Sequence, residues 1–316
     1  MSIKWGILGT GGIAQEFARD ILDFTEMQIA AVGSRSIEKA NTFELAEKKF
    51  GSYEELVNSD VDAIYIATPH QMHCENTILA LNAKKPVLCE KPFAVSAREA
   101  IAMADAAKRN NLLLMEAMWT RYLPHIQKVR ELLNELGEIY NVTADHGQAL
   151  TQIKRLTDPS YAGGALLDLG IYPISFIYMF LGKPEHITAK ADLVGGVDFQ
   201  TSAIFEYANG AQATFNTNLK VKSATSATIS GSKARLELEG AFYRPTNMQL
   251  IYNDGTVKDF TNSYRGNGLR EQAIYFEKML IGGKKESDLL PINETISIMQ
   301  TMDEIRNQIE LKYPFE

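Results

Sequence analysis

Ile3-Lys4-Trp5-Gly6-Ile7-Leu8-Gly9-Thr10-Gly11-Gly12-Ile13-Ala14 is the stretch from which the fold is read. Residues 3–8 are mostly apolar and read as a buried strand. Residues 9–14 match the spacing G-x-G-x-x-A, and Ile13, Phe17, Ile21 and Leu22 then recur on one face of a helix. Each small residue has a physical task. Gly9 suits a tight turn, Gly11 lets backbone approach a pyrophosphate, and Ala14 lets the helix pack close to the strand. The free amides and the dipole at the start of such a helix attract phosphate. A lone match of this kind also fits a plain tight turn. Its place between a strand and a helix points instead to a dinucleotide site, with Gly9, Thr10, Gly11, Gly12 and Ile13 at the cofactor.

The alternation continues outward from this stretch. Residues 28–32 read as a second strand. In an NAD site an acidic residue near its end binds the ribose 2′-hydroxyl. This chain has Gly33-Ser34-Arg35-Ser36 there, with Lys39 one turn further on. Hydroxyls and cations suit a 2′-phosphate, so Ser34, Arg35 and Lys39 predict NADP; solvated surface charges are the alternative. Then come a helix over 38–49, a short helix capped by Ser52 and Glu55, a strand over 62–66 and a helix over 74–82. Thr68 and Pro69 follow the 62–66 strand and are expected against the cofactor, with His70 and His73 as candidates beside them. Pro86-Val87-Leu88-Cys89 reads as the next strand, followed by Glu90-Lys91-Pro92. A helix over 96–110, signalled by Ser96 and Glu99, and a strand over 112–115 complete the pattern. This rhythm predicts a doubly wound parallel sheet in a dinucleotide-binding domain over 1–120. Glu90 and Lys91 then lie just past the carboxyl end of a strand, where open α/β sheets bind ligands. Pro92 fixes the backbone that presents the lysine.

Residues 121–316 read differently, as an α+β substrate and dimerisation domain. Trp119-Thr120-Arg121-Tyr122 marks the passage, and Pro124 opens a helix running to about residue 136. A strand over 139–146 and a loop over 148–163 precede a helix over 165–181. Asp168 and Tyr172 are four residues apart and so share a face of that helix. Local capping by Asp168 and core packing of Tyr172 are the bland alternatives. From residue 186 the chain is rich in strands, over 186–193, 198–207, 211–219, 227–230, 234–239 and 249–252. Asn209-Gly210 and Asp254-Gly255 signal hairpin turns. These strands predict a large, mostly antiparallel open sheet, with an outer face of Thr, Ser and Ala that includes Phe215. Helices over 269–281 and 293–311 close the chain. The fold class is thus α/β, a Rossmann sheet followed by an α+β domain.

Composition narrows the function. The chain has 316 residues, a net charge of -7 and a pI of about 5.4, which argues against nucleic-acid partners. Cys74 and Cys89 lack CxxC spacing and read as reduced thiols of a cytoplasmic protein. The beginning of the chain shows no leader pattern, and the apolar run over 174–181 is too short to span a membrane. No His/Cys/Asp group has metal-ligand spacing, so no metal is expected.

The order G-x-G-x-x-A, Ala67-Thr68-Pro69, His73 and Glu90-Lys91-Pro92 resembles the Gfo/Idh/MocA family, NAD(P)-dependent oxidoreductases acting mainly on sugars, polyols and related alcohols. The resemblance extends over the whole chain. Ser34-Arg35, residues 115–121 and residues 163–173 look most like the branch of dimeric trans-dihydrodiol dehydrogenases and NADP-linked D-xylose dehydrogenases. It implies that Lys91 is catalytic, that the helix carrying Asp168 and Tyr172 faces it, and that the open sheet supports a homodimer. The expected reaction is NADP-linked hydride transfer from the hydroxyl-bearing carbon of an aldopyranose such as D-xylose or of a cyclic trans-diol. Tyr172 would be the general base with its pKa depressed by Lys91, or Lys91 would move the proton and Tyr172 orient the substrate. Asp168 would bond a substrate hydroxyl or Lys91, and Glu90 would fix Lys91 or the nicotinamide ribose. Trp119 and Arg121 would wall the pocket. Two other readings stay open, a non-catalytic NADP-binding sensor and a redox-assisted glycosidase.

Overall fold

A computed structural model describes residues 3–316. The chain divides into two compact units. One runs to Tyr122 and resumes over Gly266–Ile296; the other comprises Leu123–Arg265 and Ser297–Glu316.

The first unit holds a six-stranded sheet of β1 (Lys4–Leu8), β2 (Gln28–Gly33), β3 (Lys48–Phe50), β4 (Ala63–Ile66), β5 (Val87–Glu90) and β6 (Leu114–Ala117). All pairs are parallel, in the order β3-β2-β1-β4-β5-β6 of a dinucleotide-binding sheet. Trp5, Ile7, Tyr65, Ile66, Val87 and Leu88 are fully buried, as expected of parallel strands covered on both faces. The helices are α1 (Gly12–Phe24), α2 (Ile37–Asn41), α3 (Tyr53–Val57), α4 (His73–Asn82) and α5 (Ala97–Asn110). The hydroxyls of Ser52 and Ser96 accept from the amides of Glu55 and Glu99, so both capping signals act as read.

Two expectations need correction here. The helix expected over 38–49 stops at Asn41, and Lys48–Phe50 pairs with Ala31–Gly33 as an edge strand. Helix propensity is a weak preference that sheet pairing overrides. The boundary at 120/121 also does not assign all later residues to the second domain. Helix α9 (Leu269–Ile281) belongs to the first unit. Asp20 accepts from the Arg270 amide at 2.8 Å and pairs with its guanidinium at 3.3 Å, while Phe276 packs against Trp5 with ring centroids 5.0 Å apart. A buried ion pair and a buried aromatic contact of this kind are invisible to a reading along the chain.

The second unit carries an eight-stranded sheet of β7 (Ile139–Gly147), β8 (His186–Val194), β9 (Val197–Glu206), β10 (Gln212–Asn218), β11 (Ala227–Gly231), β12 (Ala234–Leu238), β13 (Met248–Tyr252) and β14 (Val257–Phe260). The order is β14-β13-β12-β11-β7-β10-β9-β8; β7 and β10 pair in parallel and the rest antiparallel. Strand β14, with one apolar residue at each end, gives no alternating pattern and was not expected. The inward residues Val142, Ala144, Ala213, Phe215, Ile229 and Leu236 are buried. Phe215 therefore belongs to the covered face, against Phe205, and the open face carries Thr143, Asp145, Thr214 and Asn216. The register decides this, because side chains alternate strictly along a strand.

Helix α6 (Pro124–Leu136) starts on its proline, α7 (Lys154–Thr157) interrupts the loop, and α8 (Ile171–Leu181) follows a π-helical turn over Leu166–Gly170. Helix α10 (Ile292–Gln308) contains the last boundary between units. Tyr178 on α8 bonds Thr301 on α10 at 2.6 Å. Together with the preceding turns, Pro159–Leu181 is apolar and long enough to cross a membrane, unlike the short run read from the sequence, but most of it is buried inside the protein as a core helix.

Candidate active site

The first unit presents one half of the chemistry. Gly9 ends β1 with φ +113°, and a Cβ there would lie 2.6 Å from the carbonyl oxygen of Ala67. Only glycine permits that approach. Gly11 is the N-cap of α1 and has no side chain to bond the first amides, while Cβ atoms at Gly11 or Gly12 would meet nothing within 4 Å. The first turn of α1, which includes Ile13, contains no acidic residue. An open, uncapped helix start with bare backbone fits a pyrophosphate. Thr10 adjoins it, partly exposed. Beyond β2, Ser34 is buried, and its amide donates to Phe50; Arg35 and Lys39 are exposed. No hydrogen bond or ion pair among the described residues engages either cationic head. Hydroxyl and cations at this strand end fit a 2′-phosphate better than a free 2′-hydroxyl.

The Glu90-Lys91-Pro92 turn is gripped by buried groups. Glu90 accepts from the Tyr65 hydroxyl through Oε1 and from the Lys91 amide through Oε2 at 3.2 Å. The Lys91–Pro92 peptide is cis, and the Pro92 carbonyl lies 2.8 Å from Nδ1 of His73. Nε2 of His73 lies 2.9 Å from the carbonyl of Thr68, whose hydroxyl accepts from Asn76. His73 is 0% exposed, and burial lowers its pKa to about 4. The ring is thus neutral near pH 7 and ties the turn after β5 to the turn after β4. It is not a cofactor contact, as the sequence suggested, because both nitrogens meet backbone and no surface remains. Pro69 is partly exposed, and His70 is buried with its ring edge-on to His73. Lys91 itself is half-buried.

Two residues expected as pocket walls lie inside this unit. Arg121 is 1% exposed and pairs with Glu294 at 2.7 Å, with a second contact to the Leu289 carbonyl. Its guanidinium is committed to these partners, which corrects the substrate role expected for it. Trp119 is also buried, in the short 3-10 turn Trp119–Tyr122. Beside them lies Glu116, which the sequence reading passed over as a strand residue. It is buried, it accepts from Thr295 at 3.0 Å, and burial raises its pKa to about 7. Among the described residues no group of three His, Cys, Asp or Glu side chains is placed to hold a metal ion.

The second unit presents the other half. The π turn Leu166–Gly170 carries Asp168, and Tyr172 sits at the start of α8. The π-helical hydrogen-bond step replaces the α-helical one, so the simple i,i+4 argument for a shared face does not describe this turn. Asp168 is buried and pairs with the half-exposed Arg155 at 3.3 Å. Tyr172 packs against His146 at 5.2 Å and Tyr243 at 4.7 Å between ring centroids. His146 meets the Leu169 carbonyl through Nδ1 at 3.2 Å, and the Gln148 amide meets its Nε2 at 2.8 Å and the Tyr243 hydroxyl at 3.2 Å. Gln148 donating to Nε2 leaves the proton on Nδ1, which donates to Leu169. His146 thereby holds the π turn. Its position at the end of a predicted strand was the one available signal; Tyr243 and Gln148 had none.

Asp198 fixes the start of the same segment. It is fully buried, its Oδ2 accepts from the Leu166 amide at 2.8 Å and the Thr201 hydroxyl at 2.6 Å, and burial raises its pKa to about 7. Gly164, at φ +117°, leaves the space that Asp198 fills, since a Cβ there would lie 2.1 Å from Oδ1.

Comparison with known proteins agrees with this arrangement. Residues 3–118 match the profile of the oxidoreductase family with an NAD-binding Rossmann fold, and residues 126–237 match the GFO/IDH/MocA C-terminal domain. The chain is 34% identical to trans-1,2-dihydrobenzene-1,2-diol dehydrogenase of Bos taurus, with 99% of each chain covered. It is also 34% identical to D-xylose 1-dehydrogenase (NADP(+)) of Hypocrea jecorina, covering 99% of this chain and 93% of that one. Among solved structures, an aldose-aldose oxidoreductase from Caulobacter crescentus complexed with glycerol shares the fold with a TM-score of 0.88 at 22% identity over 98% of both chains. A 3-ketoreductase from Actinomadura kijaniata in complex with NADP and TDP-benzene does so with a TM-score of 0.86 at 24% identity, again over 98% of both chains.

Proposed function

Because the chain belongs to the GFO/IDH/MocA oxidoreductase family, whose first domain binds a nicotinamide dinucleotide, we propose that it is an NADP-dependent dehydrogenase of an aldopyranose or a cyclic trans-diol. The observation that carries this reading is Lys91, held on a turn gripped by Glu90 and His73 at the carboxyl edge of a parallel sheet. The relatives named for a dihydrodiol and for D-xylose with NADP supply the substrate classes. Ser34, Arg35 and Lys39 favour the 2′-phosphate of NADP over the bare ribose of NAD.

The α1 start, Ser34, Arg35, Thr68 and Pro69 would hold the cofactor, which supplies the hydride-accepting ring. The protein's task is the proton. Hydride departs from carbon only as the attached hydroxyl loses its proton, and Tyr172 is the proposed acceptor. Lys91 favours the phenolate of Tyr172 through its charge, and Asp168 orients a second substrate hydroxyl. His146 and Tyr243 hold the Tyr172 ring by packing. Dimerisation through the open face of the eight-stranded sheet belongs to the same reading, and a solution mass of twice the 35.2 kDa chain is its sign.

A spectrophotometric screen for NADPH formation over pentoses, hexoses, polyols and trans-diols tests the proposal. At least one aldose or trans-diol should yield NADPH, with a higher kcat/KM for NADP than for NAD. Tight NADPH binding with no turnover of any substrate would make the protein a sensor instead. Glycoside cleavage without net NADPH would make it a redox-assisted hydrolase.

A further inference from the structure

Glu116 on β6 sits beside the turn that presents Lys91. Its register partner on β5 is Cys89, the residue before Glu90. The side chain is 2% exposed; Oε2 accepts from Thr295, and Oε1 is buried without a hydrogen-bond partner. The Phe93 amide, at the far side of the Lys91 turn, points at this carboxylate without closing a hydrogen bond to Oε1. Arg121 faces it with opposite charge and Glu90 with like charge; Cys89 and Tyr122 are the other titratable groups within its field.

A buried carboxylate with an unpartnered oxygen is destabilising, and an apolar side chain on a central strand would avoid that penalty. Packing alone therefore does not account for Glu116. Two carboxylates buried near one another ionise as a coupled pair, and the number of charges they carry sets the field on any neighbouring cation. Glu90 bonds the Lys91 amide, so the pair lies directly behind the lysine.

We propose that Glu116 is a positioning residue for Lys91: with Glu90 it forms a buried carboxylate pair that sets the orientation and the charge environment of the lysine. The proposal rests on the reading of Lys91 as catalytic, but its test does not need the substrate. Reductive methylation of Lys91 is followed by peptide mass spectrometry across the neutral to alkaline range in the parent, Glu116→Gln and Glu116→Asp. Removing the negative charge destabilises the ammonium, so Glu116→Gln should label faster at a given pH. The labelling curve should move down by about one pH unit, a tenfold change in rate, with Glu116→Asp close to the parent. Thr295→Val, which removes the hydroxyl that favours ionised Glu116, should move the curve in the same direction and serves if Glu116→Gln does not fold. Superimposable Lys91 curves in the parent and the folded variants overturn the proposal. Where the parent turns over, Glu116→Gln should lower kcat, alter its pH profile near neutrality and leave KM for NADP unchanged. A parent that forms no NADPH from any sugar or diol refutes the proposed activity while the labelling result stands on its own.

Discussion

Lys91 and Tyr172 lie in different units, and each is set by buried neighbours. Lys91 depends on Glu90 for its amide and on His73 for the following carbonyl. Tyr172 depends on His146 and Tyr243 for its ring. The proposed division of labour separates two substitutions by their kinetics. Lys91→Met should abolish NADPH formation while NADPH binding, followed by fluorescence, survives. Tyr172→Phe keeps the ring packing and removes the hydroxyl, so kcat should fall by about 10²–10⁴ with little change in KM. Near-parental turnover in the tyrosine variant would make Lys91 the group that moves the proton. Both residues were legible in the sequence, one by its strand end and the other through the family resemblance. The corrections fell on residues whose surroundings decide their task. His73 and Arg121 carry functional side chains, yet both are buried against partners that only folding brings near.

At the scale of elements, the decisive feature is how the segment carrying Asp168 and Tyr172 begins. Gly163 and Gly164 precede it, and Asp198 from β9 bonds its first amides. Gly164 is required twice, once for its positive φ and once for the oxygen that occupies the place of a Cβ. Gly164→Ala should destabilise the protein by roughly 1–3 kcal/mol, the scale of an enforced unfavourable backbone conformation, before any displacement of Asp198. Urea unfolding of the parent and the variant measures this, and an unchanged midpoint would mean that the segment accommodates the methyl group by shifting. Among the open-space glycines, Gly210 and Gly255 in the hairpin turns give the contrast, since no atom stands within 4 Å of a Cβ there. The apolar pattern over 165–181 showed a helix but not its π turn. Hydropathy reports which residues are buried, not which carbonyl each amide selects.

Across the whole molecule, buried titratable groups shape the pH dependence of stability, and the two kinds oppose each other. Glu116 and Asp198 are raised to about 7 by burial, from 4.5 and 3.8. Folding favours their protonated forms, so their contribution is greatest at low pH and is lost as pH rises toward 7. His73 and His125 are lowered from 6.5 to about 4, also by burial. Their contribution is present above 6.5 and is lost as pH falls toward 4. Between these limits the two pairs offset one another. Asp198→Asn separates them: its melting temperature relative to the parent should rise with pH from 4 to 7 and then level off. A difference independent of pH over that window would show that Asp198 does not titrate there.

Local pattern by itself determined the alternating parallel sheet, the glycine turn at the start of α1, the caps of α3 and α5, and the hairpins of the second unit. Each of these depends on residues within a few positions of one another, where propensity and periodicity act. Only the tertiary structure decided that Lys48–Phe50 is a strand, that α9 packs with the first unit and that Phe215 faces the core. It also decided which polar groups near the two halves of the site are buried, among them Glu116, Asp198 and His146. Burial and pairing come from contacts between residues up to 250 positions apart, as in Asp20 and Arg270. A reading along the chain sees neither the partner nor the loss of water that changes what a side chain can do.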